Sequence, residues 1–76
     1  MTLDLTTRNF TIEGNVITIT SETRIERYRV PKGRDRISVE WGRGGRAILT
    51  VGTLRSMTMR VVGPSPDIAQ LLEAVT

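Results

Sequence analysis

With 76 residues and neither cysteine nor histidine, the chain reads as a single small domain that disulfides, thiolates and imidazole metal ligands cannot stabilise. Phe10, Tyr28 and Trp41 are its only large rings, so the core must be mostly aliphatic, and cores of this size supply only about 3–5 kcal/mol. Eleven bases, ten of them arginine, stand against eight acids, and their distribution is uneven. Residues 1–23 carry Arg8 against Asp4, Glu13 and Glu22, a net −2. Residues 24–46 carry eight bases against Glu26, Asp35 and Glu40, a net +5, and residues 47–76 balance.

A basic central segment suits nucleic acid, an acidic partner or anionic lipid. The structural alternative is a solvated sheet face with cross-strand charge pairs. No stretch approaches the ~20 apolar residues of a membrane span. The start, Met1-Thr2-Leu3-Asp4-Leu5, has neither the basic nor the apolar region of a signal peptide. A cytoplasmic protein is therefore expected.

In chain order, Leu3 and Leu5 alternate with polar residues and could make a short extra strand, the optional seventh. Phe10-Thr11-Ile12 and Ile17-Thr18-Ile19 flank Gly14-Asn15, a two-residue hairpin signal. Pairing Phe10 with Ile19 and Ile12 with Ile17 leaves one face apolar and puts Thr11 opposite Thr18.

A second hairpin is expected across the loop 31–36, with Val30, Tyr28 and Glu26 facing Ile37, Val39 and Trp41. This register stacks Tyr28 and Trp41 on the core face and sets Arg27 against Glu40. Ile25 is out of phase, so a bulge is expected near Glu26.

Beyond the glycine-rich turn Gly42-Arg43-Gly44-Gly45-Arg46, the sets Ala47/Leu49/Val51 and Met57/Met59/Val61 continue the apolar face. Ser38, Glu40, Thr50, Thr58 and Arg60 face the other way, with Ile48 as the exception. Gly63-Pro64 ends the last strand, and Ser65-Pro66-Asp67 reads as a helix N-cap, a proline at the first helical position and an acid in the first turn. Ile68, Leu71, Leu72 and Val75 then form one apolar stripe.

The expected strands cover about 8–13, 16–20, 24–30, 36–42, 46–51 and 56–62, and the helix about 66–75. The fold class is mainly β (α+β): an antiparallel six- or seven-stranded meander forming a roll or small barrel, closed by one C-terminal amphipathic helix.

The stretch from Ala47 to Thr53, the strand Met57–Gly63 and the helix Ser65–Val75 resemble the closing part of small bacterial pleckstrin-homology-like domains. There, a strand ending in Val-Gly-Thr and a further strand precede a leucine-rich helix led by Pro-Asp. The likeness covers about half the chain, and the rest matches in pattern only. It implies a scaffold for protein contacts or assembly, with function residing in particular surface sites.

The residue inventory disfavours catalysis. General acid–base chemistry usually recruits histidine, and nucleophilic chemistry needs an activated side chain. Here the one lysine, Lys32, falls in a loop, and the carboxylates are too scattered to share a cleft or bind a cation. No enzyme, cofactor or metal is expected.

The Gly42–Arg46 turn lacks the strand–loop–helix context of a phosphate-cradling loop. It is also a single copy of an Arg-Gly-Gly element, and it reads first as a hairpin turn that needs glycine for positive φ. The best candidates are therefore the bases Arg29, Lys32, Arg34 and Arg36, with Arg43 and Arg46 displayed on the turn. Guanidinium forks suit phosphate or carboxylate.

Tyr28, Trp41, Met57 and Met59 are expected in the core, which leaves no stacking platform for single strands. The expected function is that of an adaptor, accessory or inhibitor protein docking on a protein or nucleoprotein partner. A phage- or mobile-element-encoded inhibitor fits that description. Direct nucleic-acid binding through residues 24–46 and homo-oligomeric self-assembly through an exposed strand edge are the alternatives.

Overall fold

A computed structural model describes residues 1–33, 36–53 and 55–76, with the side chains of all of these except Met57 and Thr58. The protein is mainly β, with seven strands in two sheets and one C-terminal helix. The strands are β1 (Thr2–Asp4), β2 (Asn9–Glu13), β3 (Val16–Thr20), β4 (Ile25–Arg29), β5 (Arg36–Trp41), β6 (Arg46–Gly52) and β7 (Met57–Pro64). The helix α1 spans Ser65–Val75.

The first hairpin forms in the expected register, with Phe10 opposite Ile19, Thr11 opposite Thr18 and Ile12 opposite Ile17. Gly14 has φ +59° while Asn15 keeps a negative φ. A left-handed first turn residue is what a type II′ turn requires, and its twist matches that of the strands.

The chain departs from a continuous meander after β4. β4 pairs with β3 and β5 with β6, but β4 and β5 do not pair, so the order is β2-β3-β4 in one sheet and β1-β7-β6-β5 in the other. The barrel is not closed. One uninterrupted sheet would offer a single broad apolar face for an eleven-residue helix to cover. The buried residues of the two sheets and the helix stripe instead share one core, which is how layered folds bury such faces.

Three expectations fall with the β4–β5 pair. Arg27 lies opposite Thr18, and Glu40 opposite Ile48, so they form no cross-strand pair. Tyr28 is half-buried opposite Ile17, whereas Trp41 ends an edge strand opposite the small Ala47 and is 56% exposed. No bulge forms at Glu26: β4 runs straight, and the out-of-phase Ile25 is left 62% exposed opposite Thr20.

In the larger sheet, Val39, Leu49 and Val61 align across β5, β6 and β7, and a bulge falls between Val51 and Gly52. β1 exists but runs parallel to β7, with Leu3 beside Val61, so the sheet is mixed. Leu5 continues this contact beyond the strand, its N–H donating to the Val62 carbonyl at 2.8 Å. Ile48, apolar on the outer face, lies opposite a second apolar residue there, Val62.

Ser65 is the first helical residue rather than the cap. Pro64 precedes the helix without a side-chain cap, and the Ser65 N–H donates to the Gly45 carbonyl at 2.7 Å. The stripe packs as expected, with Ile68, Leu71 and Val75 buried and Leu72 half-buried, against β6 and β7. The core unites Ile17 and Ile19 of the smaller sheet and Val30 just beyond β4 with Leu49, Val51, Met59 and Val61 of the larger and with the helix stripe. The side chain of Met57 lies outside the description.

Candidate functional site

The topology decides where each base is displayed. On the outer face of β2-β3-β4, side chains form rows across the strands: Glu13, Val16 and Arg29, then Thr11, Thr18 and Arg27, then Asn9, Thr20 and Ile25. Arg27 and Arg29 thus project from an edge strand beside threonines and an exposed isoleucine. Lys32 follows on a loop anchored by the Gly33 N–H, which donates to the Val75 carbonyl at 3.1 Å. Gly33 has φ +62°, a conformation that favours glycine.

Arg36 opens β5 opposite Gly52. With Ser38, Thr50, Arg55 and Ser56 it surrounds a concavity of ≈ 330 Å³ on the outer face of the larger sheet. Arg60 lies opposite Thr50 on that same face.

Arg43 and Arg46 stand at the far end of β5 and β6, around a hollow of ≈ 340 Å³ that includes Trp41, Ile48 and Glu40. The turn carrying them closes through the Gly42 N–H, which donates to the Arg46 carbonyl at 2.8 Å. Gly44 and Gly45 have φ of +72° and +73°.

The expected set Arg29, Lys32, Arg34, Arg36, Arg43 and Arg46 is therefore divided among separate places. Arg29 ends β4 of the smaller sheet and Lys32 lies on the loop after it, Arg36 is at one end of β5, and Arg43 and Arg46 are at the other. Arg34 lies outside the described residues, as does Asp35.

Electrostatically, Arg8 and Arg24 are engaged by Glu26, at 3.6 and 3.1 Å. Arg27, Arg29, Lys32, Arg36, Arg43, Arg46, Arg55 and Arg60 are exposed and form no ion pair among the described residues. The Asp4 carboxyl is held below its ordinary pKa, chiefly by the Thr6 hydroxyl and then by the Thr6 N–H, at 2.6 and 2.9 Å. The charges of Arg46 and Arg8 lower it further. Among the described residues, no three carboxylates gather to hold a metal ion, and no helix is long and apolar enough to cross a membrane.

Arg55 was not among the expected site residues yet lines the same concavity as Arg36, and Trp41, expected in the core, is exposed. The outward phase of Ser38, Thr50 and Arg60 was visible in the alternation, and it marked the face on which the Arg36 concavity lies. Nothing local marked Trp41 as exposed, because its environment depends on which strands pair.

Compared with known proteins, the chain matches no family model, no curated protein and no solved structure.

Proposed function

We propose that this chain is a non-catalytic binding protein, an adaptor, accessory or inhibitor, that docks on a protein or nucleoprotein partner through its basic β-faces and loops. The observation supporting this reading is the exposed arginine on both outer faces and on the Gly42–Arg46 turn, which forms no ion pair among the described residues. Such a surface accelerates encounter with an acidic partner and discriminates by charge more than it adds folding stability. A pleckstrin-homology-like scaffold belongs to the same proposal, since such a domain offers sheet faces and loops for contacts. So does a cytoplasmic setting.

The test is affinity capture with the wild type beside two charge-reversed forms, Arg27→Glu/Arg29→Glu and Arg43→Glu/Arg46→Glu. A partner retained by the wild type and released by at least one form supports the reading. Equal retention by all three would refute it.

One observation favours direct nucleic-acid binding as the second reading. Trp41 is exposed beside Arg43 and Arg46, the pairing of ring and guanidinium on which a single-stranded base can stack. The salt dependence of that binding separates the two readings.

A further inference from the structure

We infer that the concavity at the Gly52 bulge is a binding site for a phosphate monoester. It goes beyond macromolecular docking, because a small phosphate ligand can occupy it with no partner present. Three features of the hollow support it.

The first is charge. Arg36 approaches from β5 and Arg55 from the turn after β6, and neither forms an ion pair among the described residues. No described carboxylate lines this hollow. The hollow between Thr7 and Glu26 contains Glu22 and Glu26, and its Arg8 and Arg24 are already bound to Glu26. The Trp41 hollow contains Glu40. A monoester carries about −1.5 to −2 at pH 7, which two guanidinium groups match, and their planar forks fit its oxygens.

The second is hydrogen bonding. Ser38 and Thr50 face each other directly across β5 and β6, and Ser56 also lines the hollow. None of these three hydroxyls is hydrogen-bonded among the described residues, so each can donate to a phosphate oxygen.

The third is preorganised shape. Gly52 places no side chain in the hollow it lines, and a bulge, which bends the strand locally, falls between it and Val51. The Thr53 hydroxyl accepts from the Arg55 and Ser56 N–H groups at 3.3 and 3.2 Å, fixing the turn that carries Arg55. A volume of ≈ 330 Å³ exceeds that of one phosphate group and leaves room for the carbon skeleton bearing it.

The test is an NMR titration of the full chain with inorganic phosphate, O-phosphoserine and glycerol 3-phosphate. Saturable shifts centred on the amides of Ser38, Thr50, Gly52 and Ser56 are expected. Arg36→Gln or Arg55→Gln should weaken binding at least tenfold, a loss of ~1.4 kcal/mol, while Arg27→Gln leaves it unchanged. The tighter of the two esters identifies the source, a phosphorylated side chain or a free phosphorylated metabolite, and either supports the site.

Shifts that do not saturate, that spread equally to Arg27, Arg29 and Arg43, or that survive both arginine replacements would overturn the site. Partner capture through Arg27, Arg29, Arg43 and Arg46 would stand regardless, so the two proposals fail separately.

Discussion

Asn15 and Val30 hold each other through two hydrogen bonds. The Val30 N–H donates to the Asn15 carbonyl at 2.8 Å, and the Asn15 amide Nδ2 donates to the Val30 carbonyl at 2.9 Å. The β2–β3 turn is thereby tied to the end of β4, where Val30 is fully buried. Asn15→Ala removes the second bond and leaves the Val30 carbonyl without it. The expected cost is ~0.5–1.5 kcal/mol, read from denaturant unfolding as a lower midpoint at unchanged slope. A midpoint equal to the wild type would show that water replaces the amide at no cost.

The helix should carry a large share of the stability. Leu71 is fully buried between α1 and the larger sheet, so Leu71→Ala should cost ~2–5 kcal/mol. In a domain this small that approaches the whole folding free energy, and truncation after Gly63 should abolish cooperative unfolding. A truncated chain with an unchanged thermal midpoint would contradict the packing.

Which features were legible in the sequence follows from the range of the interactions. The Phe10–Ile19 register was readable because the period-2 pattern and the Gly14 turn lie within a dozen residues and agree. The helix stripe of Ile68, Leu71 and Val75 was readable for the same reason. Tyr28, by contrast, alternates in phase with both Ile17 and Val39, so its pattern fits a neighbour on either side. Choosing between them depends on how the remaining apolar surface is covered, a property of the whole chain. The parallel placement of β1 is equally non-local, since Leu3 meets Val61 from the opposite end of the sequence. Trp41 followed the wrong pairing onto the core face, and with it went the argument against base stacking.

Asp4 gives a pH-dependent check. Its pKa is lowered in the folded chain, first by the Thr6 hydroxyl. A depressed carboxyl contributes stability that is present above its unfolded pKa and lost as pH falls through the folded value. Thr6→Val removes the hydroxyl donor, so the Asp4 resonance should titrate at higher pH in the variant. An unchanged titration would show that the backbone N–H and the arginines suffice.

Arginine on the outer faces should matter for binding and hardly for folding. Arg27 and Arg29 are exposed and form no ion pair among the described residues, and substitutions at such positions usually change stability by less than ~0.5 kcal/mol. Arg27→Glu/Arg29→Glu should therefore unfold at nearly the wild-type midpoint while associating more slowly with an acidic partner. A marked loss of stability would mean that these side chains cover apolar surface such as Ile25 with their stems.

Trp41 offers the clearest decision between a protein partner and a nucleic acid. It is the chain's only tryptophan and is 56% exposed beside Arg43 and Arg46, so intrinsic fluorescence reports on this one place. A base stacking on the ring would quench it, and each phosphate contact made by an arginine contributes about −0.7 to the log–log salt slope for a single strand. A surface with two nearby guanidinium groups should thus show quenching by a generic oligonucleotide at low salt that disappears at physiological salt. Trp41→Ala should abolish that binding while the variant still unfolds cooperatively, since the ring is more than half exposed and lies outside the buried core. Quenching that persists at physiological salt would instead make nucleic acid the primary ligand and the docking of a protein partner secondary. Absence of quenching even at low salt would remove direct nucleic-acid binding through this turn.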